Sequence, residues 1–462
     1  MKYSLTFLET DYLALVQHLF VDRKKERAAY LLCRISVNTQ ETRLLVREMI
    51  PVRDNDIEEA SEMHMRIKPL SFLRPMKRAN DTKQLFVFVH SHPLGYALHS
   101  EQDDIEEKQL FKTAYNRIRT KGVHGSVVIS TEDNPIGRIW LEDGSTKPVE
   151  LIRTVGHRFR FYFSDRDRQA ALPIFDRQIR AFGNDIQQLL QNLHIAVVGC
   201  GGTGSAVAEQ LIRLGVGKLT LSDGQKFEIS NINRVYGSTT QDEGIEKVNL
   251  IERLAQNIGL TTEISAIPFP VTFASTVNQI KSADIVFGCT DDEFGRSILT
   301  KLAVYYGIPV FDMGVKIDSH DGVIKSVQGR ITTLMCNNAC LFCRERISEK
   351  GVLMESLAEL DPAELRRLIK AGYADELPDP SPAVISFTST VASLAVSELI
   401  HRLTGYMGKN RQSNEVLVLF DQSKMKTNNR SPKEGCFCGD NIYQMRGDTS
   451  PLLDLTWRPE HA

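Results

Sequence analysis

Tryptophan is nearly absent, at 2 of 462 residues, and cysteine stops at 8. So few cysteines over that length cannot staple a chain that has no core of its own, which excludes a disulfide scaffold. An excess of one charge is missing too. Lys+Arg 56 against Asp+Glu 58 leaves a formal net charge of −2, so there is no general basic field for nucleic acid and any polyanion site has to be local. Long apolar runs are also lacking: the longest, Ala383 to Leu403, carries Ser386, Thr388, Ser389, Thr390, Ser393, Ser397, Glu398 and His401, too polar for a membrane span. In the opening segment, MKYSLTFLETDYLALVQHLF, Glu9 and Asp11 interrupt the place where the apolar centre of a secretory signal would lie. The expectation is a cytoplasmic protein with neither a membrane nor a nucleic-acid partner. What is present is average, 42% hydrophobic and 25% charged residues, and a chain of 462 residues is long enough for two or three domains.

Short strand-like runs at 44–52, 84–90 and 125–130 alternate with helical stretches such as 101–119, which predicts an α/β domain. Charged residues and a proline at 160–178 break that rhythm, and a stronger strand–helix alternation starts at 194. It runs strand, glycine turn, helix to Leu214, strand, then further pairs ending in SADIVFGCT and IPVFDMG, the order of a parallel doubly wound sheet. The expected division is 1–165, a linker at 166–172, a second domain at 173–445 and a tail at 446–462. Between Cys343 and Pro382 a polar, acidic stretch carries one helix start, with Asp361 as N-cap and Pro362 at the first position, before Pro378, Pro380 and Pro382 interrupt it. It reads as a mobile loop crossing over a site in the second domain.

The most informative string of the first domain is His90-Ser91-His92-Pro93, with Ser100 and Asp103 downstream. Histidines at i and i+2 on a strand end point to one side, and an aspartate opening the next helix reaches the same point. Three N/O ligands leave a zinc ion one position for water, the arrangement of a catalytic site. Such an ion polarises a carbonyl and activates water, and Ser100 is placed to donate to an oxyanion. The string resembles, without a gap, the motif of the JAMM (JAB/MPN) metallopeptidases, over roughly residues 1–160. That resemblance implies a zinc (iso)peptidase with His90, His92 and Asp103 as ligands and, as base, a glutamate ahead of an early strand. Glu26, in ERAAYLLCRI, holds that place, with Glu41 and Glu48 as weaker candidates; the glycine that usually comes after the glutamate is absent. His99 reads as a surface histidine, and Ser100 also as a helix N-cap.

In the second domain the strand HIAVVG leads into Gly199-Cys200-Gly201-Gly202-Thr203-Gly204 and a helix, which puts backbone amides and a helix N-terminus against phosphates. Asp223, closing the next strand, is spaced for a ribose hydroxyl, so an NAD-dependent oxidoreductase has to be weighed. Hydride transfer has no use for the downstream residues Asn231, Arg234, Lys247 and Asp291, with Arg296 one helical turn later. Cations on phosphates and a carboxylate for magnesium are what cleavage of ATP between its α and β phosphates needs. The set and its order resemble the ThiF/MoeB and ubiquitin-activating adenylyltransferases over about residues 173–440. The resemblance implies that Gly199, Gly201, Gly202, Gly204, Asp223, Asn231, Arg234, Lys247 and Asp291 bind ATP and magnesium. It also implies a homodimer, because FDRQIRAFG resembles the family's helix whose arginine, here Arg177, reaches the partner's nucleotide; Arg180 reads as surface.

Cys340-x-x-Cys343 and Cys436-x-Cys438 read as metal ligands before disulfides. They also match the family's structural zinc, which ties the start of the crossing segment to the C-terminus; four thiolates leave that ion no open position. The second pair is one residue shorter than the family's usual spacing. Cys33, Cys200 and Cys289 read as small buried side chains, and Cys336 as exposed beside the site and available for a thioester. No cysteine stands in the crossing loop where thioester-forming members carry one, so the chemistry can stop at an acyl-adenylate. Together the two resemblances imply a bifunctional enzyme of a ubiquitin-like protein system. Its first domain would trim a precursor or remove conjugates, and its second would activate a C-terminal glycine, with a conjugating enzyme as a further partner. A sulfur-carrier protein as substrate and a non-catalytic adaptor binding a ubiquitin-like fold stand as alternatives.

Overall fold

A computed structural model describes residues 1–457 apart from 62–63, 94, 96–97, 131–133, 165–171, 374–381, 409–410 and 412. The chain forms two compact units. The first comprises Met1–Asp167, Tyr305–Gly307 and Gln444–Asp448 and the second the remainder, so the residues from 446 onward, expected to form one tail, are divided between the two. The expected linker at 166–172 lies, except for Leu172, outside the described residues.

The first unit begins β1 (Lys2–Leu8), α1 (Glu9–Leu19), β2 (Ala28–Val37), β3 (Glu41–Pro51), β4 (Ile57–Ala60), β5 (Met65–Ile67), α2 (Pro69–Asp81) and β6 (Leu85–Ser91). It continues through α3 (Glu101–Arg117), β7 (His124–Ile129), β8 (Pro135–Trp140), β9 (Thr146–Pro148), β10 (Leu151–Val155) and β11 (Arg160–Phe163). Nine strands form one mixed sheet in the order β11-β10-β1-β3-β2-β6-β7-β8-β9, and β4 pairs with β5 apart from it. In β6, LFVFVHS, both alternating sets of side chains are apolar, so the strand buries both faces. Leu85, Val87 and Val89 join Tyr12, Leu15 and Leu19 of α1 on one side. Phe86 packs on the other side with Met76 of α2 and Phe111 of α3, and Phe88 lies against the same cluster. By the two-residue period His90 continues that second set, which turns it toward α3.

Glu41 opens β3 and serves this unit's core instead of acting as a base at the site. Ser4 Oγ donates to it at 2.5 Å, Arg43 Nη2 at 2.8 Å and Arg153 Nη2 at 2.8 Å, with all four side chains buried. Burial opposes its charge, but Arg153 and Arg43 outweigh burial and hold its carboxyl well below the usual carboxylate range. A carboxylate depressed in this way contributes its full stabilisation above its unfolded pKa, near 4.5, and loses it as pH falls toward the folded value. Glu41→Gln leaves two buried guanidinium groups short of a charge and is expected to destabilise the unit by about 3–5 kcal/mol. Urea denaturation measures this, and the gap between the two proteins should narrow from pH 7 to pH 3. Glu48, the other weaker candidate, pairs with Arg78 of α2 at 2.7 Å.

In the second unit α4 (Asp176–Phe182) and α5 (Asn184–Asn192) precede β12 (His194–Val198), α6 (Gly202–Arg213), β13 (Lys218–Ser222), α7 (Lys247–Ile258), β14 (Glu263–Ile267), α8 (Ala274–Ile280) and β15 (Ile285–Gly288). Then come α9 (Glu293–Tyr306), β16 (Val310–His320), β17 (Val323–Leu334), α10 (Glu349–Leu360), α11 (Pro362–Lys370), α12 (Ile385–Thr404), β18 (Glu415–Leu419) and β19 (Lys424–Asn428). The sheet order is β14-β13-β12-β15-β16-β17-β18-β19. From β14 to β16 it is parallel, as the doubly wound pattern predicts, and the strand order reverses at β12. From β16 to β19 it is antiparallel, a half that the sequence pattern does not show past the VFDMG start of β16, because the rest of β16 and β17 are polar and lack a clean alternation. The crossing segment is helical rather than a bare loop. α11 starts where expected, with the Asp361 carboxylate accepting from Glu364 N at 3.0 Å. The helix before it, α10, is not marked by the sequence pattern and is capped by Ser348, whose hydroxyl accepts from Gly351 N at 2.9 Å. Pro378 and Pro380 lie outside the described residues. Among the described residues no helix is long and apolar enough to cross a membrane.

Candidate functional site

His90 lies at the end of β6 and His92 just past it, and their Nε2 atoms stand 3.1 Å apart. Asp103 enters from the first turn of α3, 3.2 Å from His90 Nε2 and 3.6 Å from His92 Nε2. The three ligand atoms fall within 4.8 Å of one another, close enough for a single ion to reach all of them. α3 starts where it does because of a capping box: Ser100 Oγ accepts from Asp103 N at 3.1 Å, and Asp103 accepts from Ser100 N at 2.7 Å. The Ser100 hydroxyl also donates to the Asp103 carboxylate at 2.8 Å and so orients it. Burial works against the charge on Asp103, but His90 and the two Ser100 bonds outweigh it and keep the carboxyl well below its ordinary range.

Glu26, two residues ahead of β2, is 6% exposed and stands 3.8 Å from His92 Nε2. Burial lifts its pKa to about 7, with His90 pulling it down and Asp103 and Glu106 pushing it further up. A carboxylate at that level suits proton transfer near neutrality. These groups line a cavity of about 120 Å³ that includes Tyr30, Phe72, Phe88 and Leu110. His99, expected on the surface, is turned inward: 11% of its side chain is exposed, and its Nδ1 lies 3.6 Å from Glu107 Oε1. Sequence reasoning misses Glu107, a buried carboxylate in the same cavity wall, although its i, i+4 spacing from Asp103 on α3 is a usable signal.

The second site forms at the carboxyl end of β12, where the strand order reverses. Gly199 has φ +90°, and a Cβ there would meet the Cys289 and Thr290 backbone at 2.8 Å; one on Gly204 would fall 1.8 Å from Gly199 O. Only glycines allow the turn to close this tightly. Gly201 faces open space instead, with no atom within 4 Å of a Cβ position. Asp223 pins the turn by accepting from Cys200 N at 2.6 Å and Gln225 N at 2.7 Å. Beside it is a cavity of about 450 Å³ whose wall includes Gly199, Gly201, Gly202, Asp223, Arg234, Lys247 and Asp291. Lys247 Nζ is held by Gln225 Oε1 at 2.7 Å and Arg234 by the Ser230 carbonyl at 2.8 Å. Asp291 is exposed.

Four expected residues stand apart from that wall. Gly204 packs behind the turn, and Asn231 is buried with a side-chain oxygen that has no partner among the described residues. Arg177 is exposed on α4. Cys336 is buried rather than exposed beside the site, its thiol directed at the Ala303 and Val304 carbonyls of α9 at 3.8 and 3.3 Å. Tertiary packing after β17 encloses it, where the sequence suggests exposure. Cys289 differs in the other direction, being partly exposed and lining the cavity, while Cys33 and Cys200 are buried as expected.

The loop that carries Asp291 is braced from the crossing segment. Glu355 of α10 accepts from Phe294 N at 2.7 Å, and Glu293 of α9 accepts in return from Ser348 N at 2.8 Å, so each helix caps the other's N-terminus. Gly351 lets the Glu293 carboxylate come this close, since a Cβ there would fall 2.0 Å from it and displace it.

The four paired cysteines converge as well. Sγ atoms are 3.6 Å apart for Cys340 and Cys436, 3.6 Å for Cys343 and Cys438, and 3.5 Å for Cys436 and Cys438. A tetrahedral zinc with bonds of ~2.3 Å sets its sulfurs ~3.8 Å apart, so the donor set fits that ion, and one intervening residue in the second pair suffices.

Comparison with known proteins agrees with this division. The ThiF family model matches residues 175–438, more than half of the chain, and a model described as prokaryotic homologs of the JAB domain matches residues 9–141. Over 155 residues the chain is 30% identical to ubiquitin-like modifier-activating enzyme 5 of Bombyx mori, spanning 31% of this chain and 39% of that protein. With the protein of the same name from Aedes aegypti it shares 29% over 175 residues, 35% of this chain and 44% of that one. The chain therefore spans under half the length of these curated relatives. Among solved structures, E. coli MccB with ATP is 18% identical, with a TM-score of 0.45 over 58% of this chain and 75% of that one. By the extent of the ThiF match, this chain belongs to the ThiF family, and it carries a JAB-type domain ahead of its ThiF domain.

Proposed function

We propose that this chain is a bifunctional enzyme of a ubiquitin-like protein system, with zinc-dependent cleavage in the domain at 1–165 and ATP-dependent adenylation of a C-terminal glycine in the domain at 173–445. The observation that supports this reading is that the chain brings together two sets of chemically suited residues, His90, His92 and Asp103 beside Glu26, and the glycine turn with Arg234, Lys247 and Asp291. The name of the curated relatives, activators of a ubiquitin-like modifier, supports the second activity.

Zinc held by His90, His92 and Asp103 would polarise the scissile carbonyl and activate water. Glu26 takes the water proton and returns it to the leaving nitrogen, Ser100 keeps Asp103 oriented, and its own hydroxyl is the nearest candidate donor to the oxyanion. A precursor tail or an existing conjugate is the substrate.

In the second domain the backbone amides of the glycine turn and the N-terminus of α6 would receive the phosphates, Arg234 and Lys247 would offset their charge, and Asp291 would hold magnesium. A carboxylate oxygen of the substrate's C-terminal glycine bonds to the α-phosphorus as the bridge to the β-phosphate breaks and pyrophosphate leaves. Asp223 and Asn231 support the nucleotide site, and Arg177, lying outside its own cavity, serves the partner's cavity in a homodimer. The four cysteines would hold a structural zinc, a use of thiols that suits a reducing compartment. Because Cys336 is enclosed, the acyl group passes from the adenylate to an external nucleophile, either a conjugating enzyme or, in a second reading, a sulfur donor acting on a sulfur-carrier protein.

The test is intact mass under non-reducing conditions, after incubation with magnesium, ATP and a ubiquitin-like precursor extended beyond its glycine. Loss of the extension should require His92, and the adenylate should require Asp291. A covalent adduct on this chain would restore a thioester route, and unchanged masses throughout would favour a binding adaptor.

A further inference from the structure

We propose that Glu107 is a positioning residue of the zinc centre and that, with His99, it fixes the turn from which Ser100 and Asp103 project. The inference rests on the zinc reading of the first site. Asp103 is the third residue of α3, in a helical end turn that would ordinarily fray. Glu107 lies one turn further along on the same face and is 2% exposed. One of its oxygens is fully committed to the sheet: Ser126 Oγ of β7 donates to it at 2.5 Å, Arg138 Nε of β8 at 2.9 Å and Trp140 Nε1 of β8 at 2.8 Å. Arg138 also bonds Asp104, which clamps the same turn to β8 from its other side.

The second oxygen is what distinguishes this arrangement from an ordinary buried ion pair. Glu107 Oε1 is buried without a hydrogen-bond partner among the described residues, and so are both ring nitrogens of His99, the residue directly before Ser100. Buried polar atoms left unpaired are destabilising and rare in folded proteins. Two of them form an ion pair, His99 Nδ1 standing 3.6 Å from Oε1, just beyond hydrogen-bond reach, and Glu107 lines the cavity that holds His90, His92 and Asp103. The sheet thus grips Glu107, and Glu107 turns its second oxygen to His99, the residue that enters the Ser100 cap. Outer groups of this kind set the orientation of metal ligands.

The test uses the full chain with three substitutions: Glu107→Gln, His99→Ala and the conservative His99→Gln, whose amide can still donate. Zinc affinity is read by competition with a chelator, and kcat and KM are read separately on a cleavable precursor. Glu107→Gln and His99→Ala should each weaken zinc binding about 10–100-fold and lower kcat with KM little changed, and His99→Gln should recover part of both. If Glu107→Gln does not fold, His99→Ala decides alone. Folded variants that load zinc with wild-type affinity and keep wild-type kcat would overturn the inference while leaving the zinc reading intact. A wild type whose zinc uptake is unchanged by His92→Ala, holding only the ion assigned to the four cysteines, would overturn the zinc reading and the inference with it. A wild type that binds zinc but cleaves nothing would overturn only the hydrolase reading, and the affinity comparison would still decide the inference.

Discussion

Glu26→Gln is expected to slow zinc-dependent cleavage by roughly 10²–10⁴-fold while metal content stays at the wild-type level. Glutamine keeps the size of the side chain and an oxygen facing His92, so neither the packing of a residue 6% exposed nor the ligand set is disturbed. What it cannot do is take a proton from water. The loss should fall on kcat, because Glu26 assists the reaction rather than the binding of the substrate. Single-turnover cleavage together with zinc analysis of the same sample separates the two effects. Retention of full activity would move the base elsewhere, and the first residue to try would be Glu106 in the same cavity wall.

Asp291→Ala carries the other large effect, a fall of roughly 10²–10³-fold in ATP–pyrophosphate exchange driven by a substrate with a C-terminal glycine. The residue is exposed, so its truncation should leave stability within about 0.5 kcal/mol. The deficit should be partly relieved by raising magnesium, since the carboxylate is assigned to the metal rather than to the nucleotide. Lys247→Ala should lose comparable activity without that relief, because its ammonium, in the cavity wall, is assigned to the phosphates rather than to the metal. If extra magnesium rescues both variants equally, the division of roles between them is wrong.

The parts of each site that were legible in the sequence are those encoded within one turn of chain. The spacing of His90 and His92 comes from the strand period, Ser100 and Asp103 from a helix start, and the glycines from a turn in which Gly199 needs a positive φ and Gly204 has no room for a side chain. The order of strands β12 to β15 was legible for the same reason, as each glycine turn or helix start marks its own boundary. Where long-range packing decides, the pattern falls silent. Glu41 and Glu26 are both glutamates near an early strand, and only the arrival of Arg153, 112 residues away, shows that Glu41 belongs to the core. Cys336 sits in a polar stretch that suggests exposure, yet the carbonyls of α9 enclose it. His99 comes after a loop and reads as surface, because nothing local reveals that Glu107 draws its ring inward.

The mutual capping of α9 and α10 makes the two helix ends a single thermodynamic unit. Lifting α10 away would strip Phe294 N and Ser348 N of their acceptors at once. With each lost cap worth about 1–2 kcal/mol, the lifted state is disfavoured by roughly 30- to 1,000-fold, so it forms a minor population at equilibrium. The nucleotide cavity, whose wall includes Glu359 of α10, therefore keeps that side in one arrangement in most molecules at equilibrium.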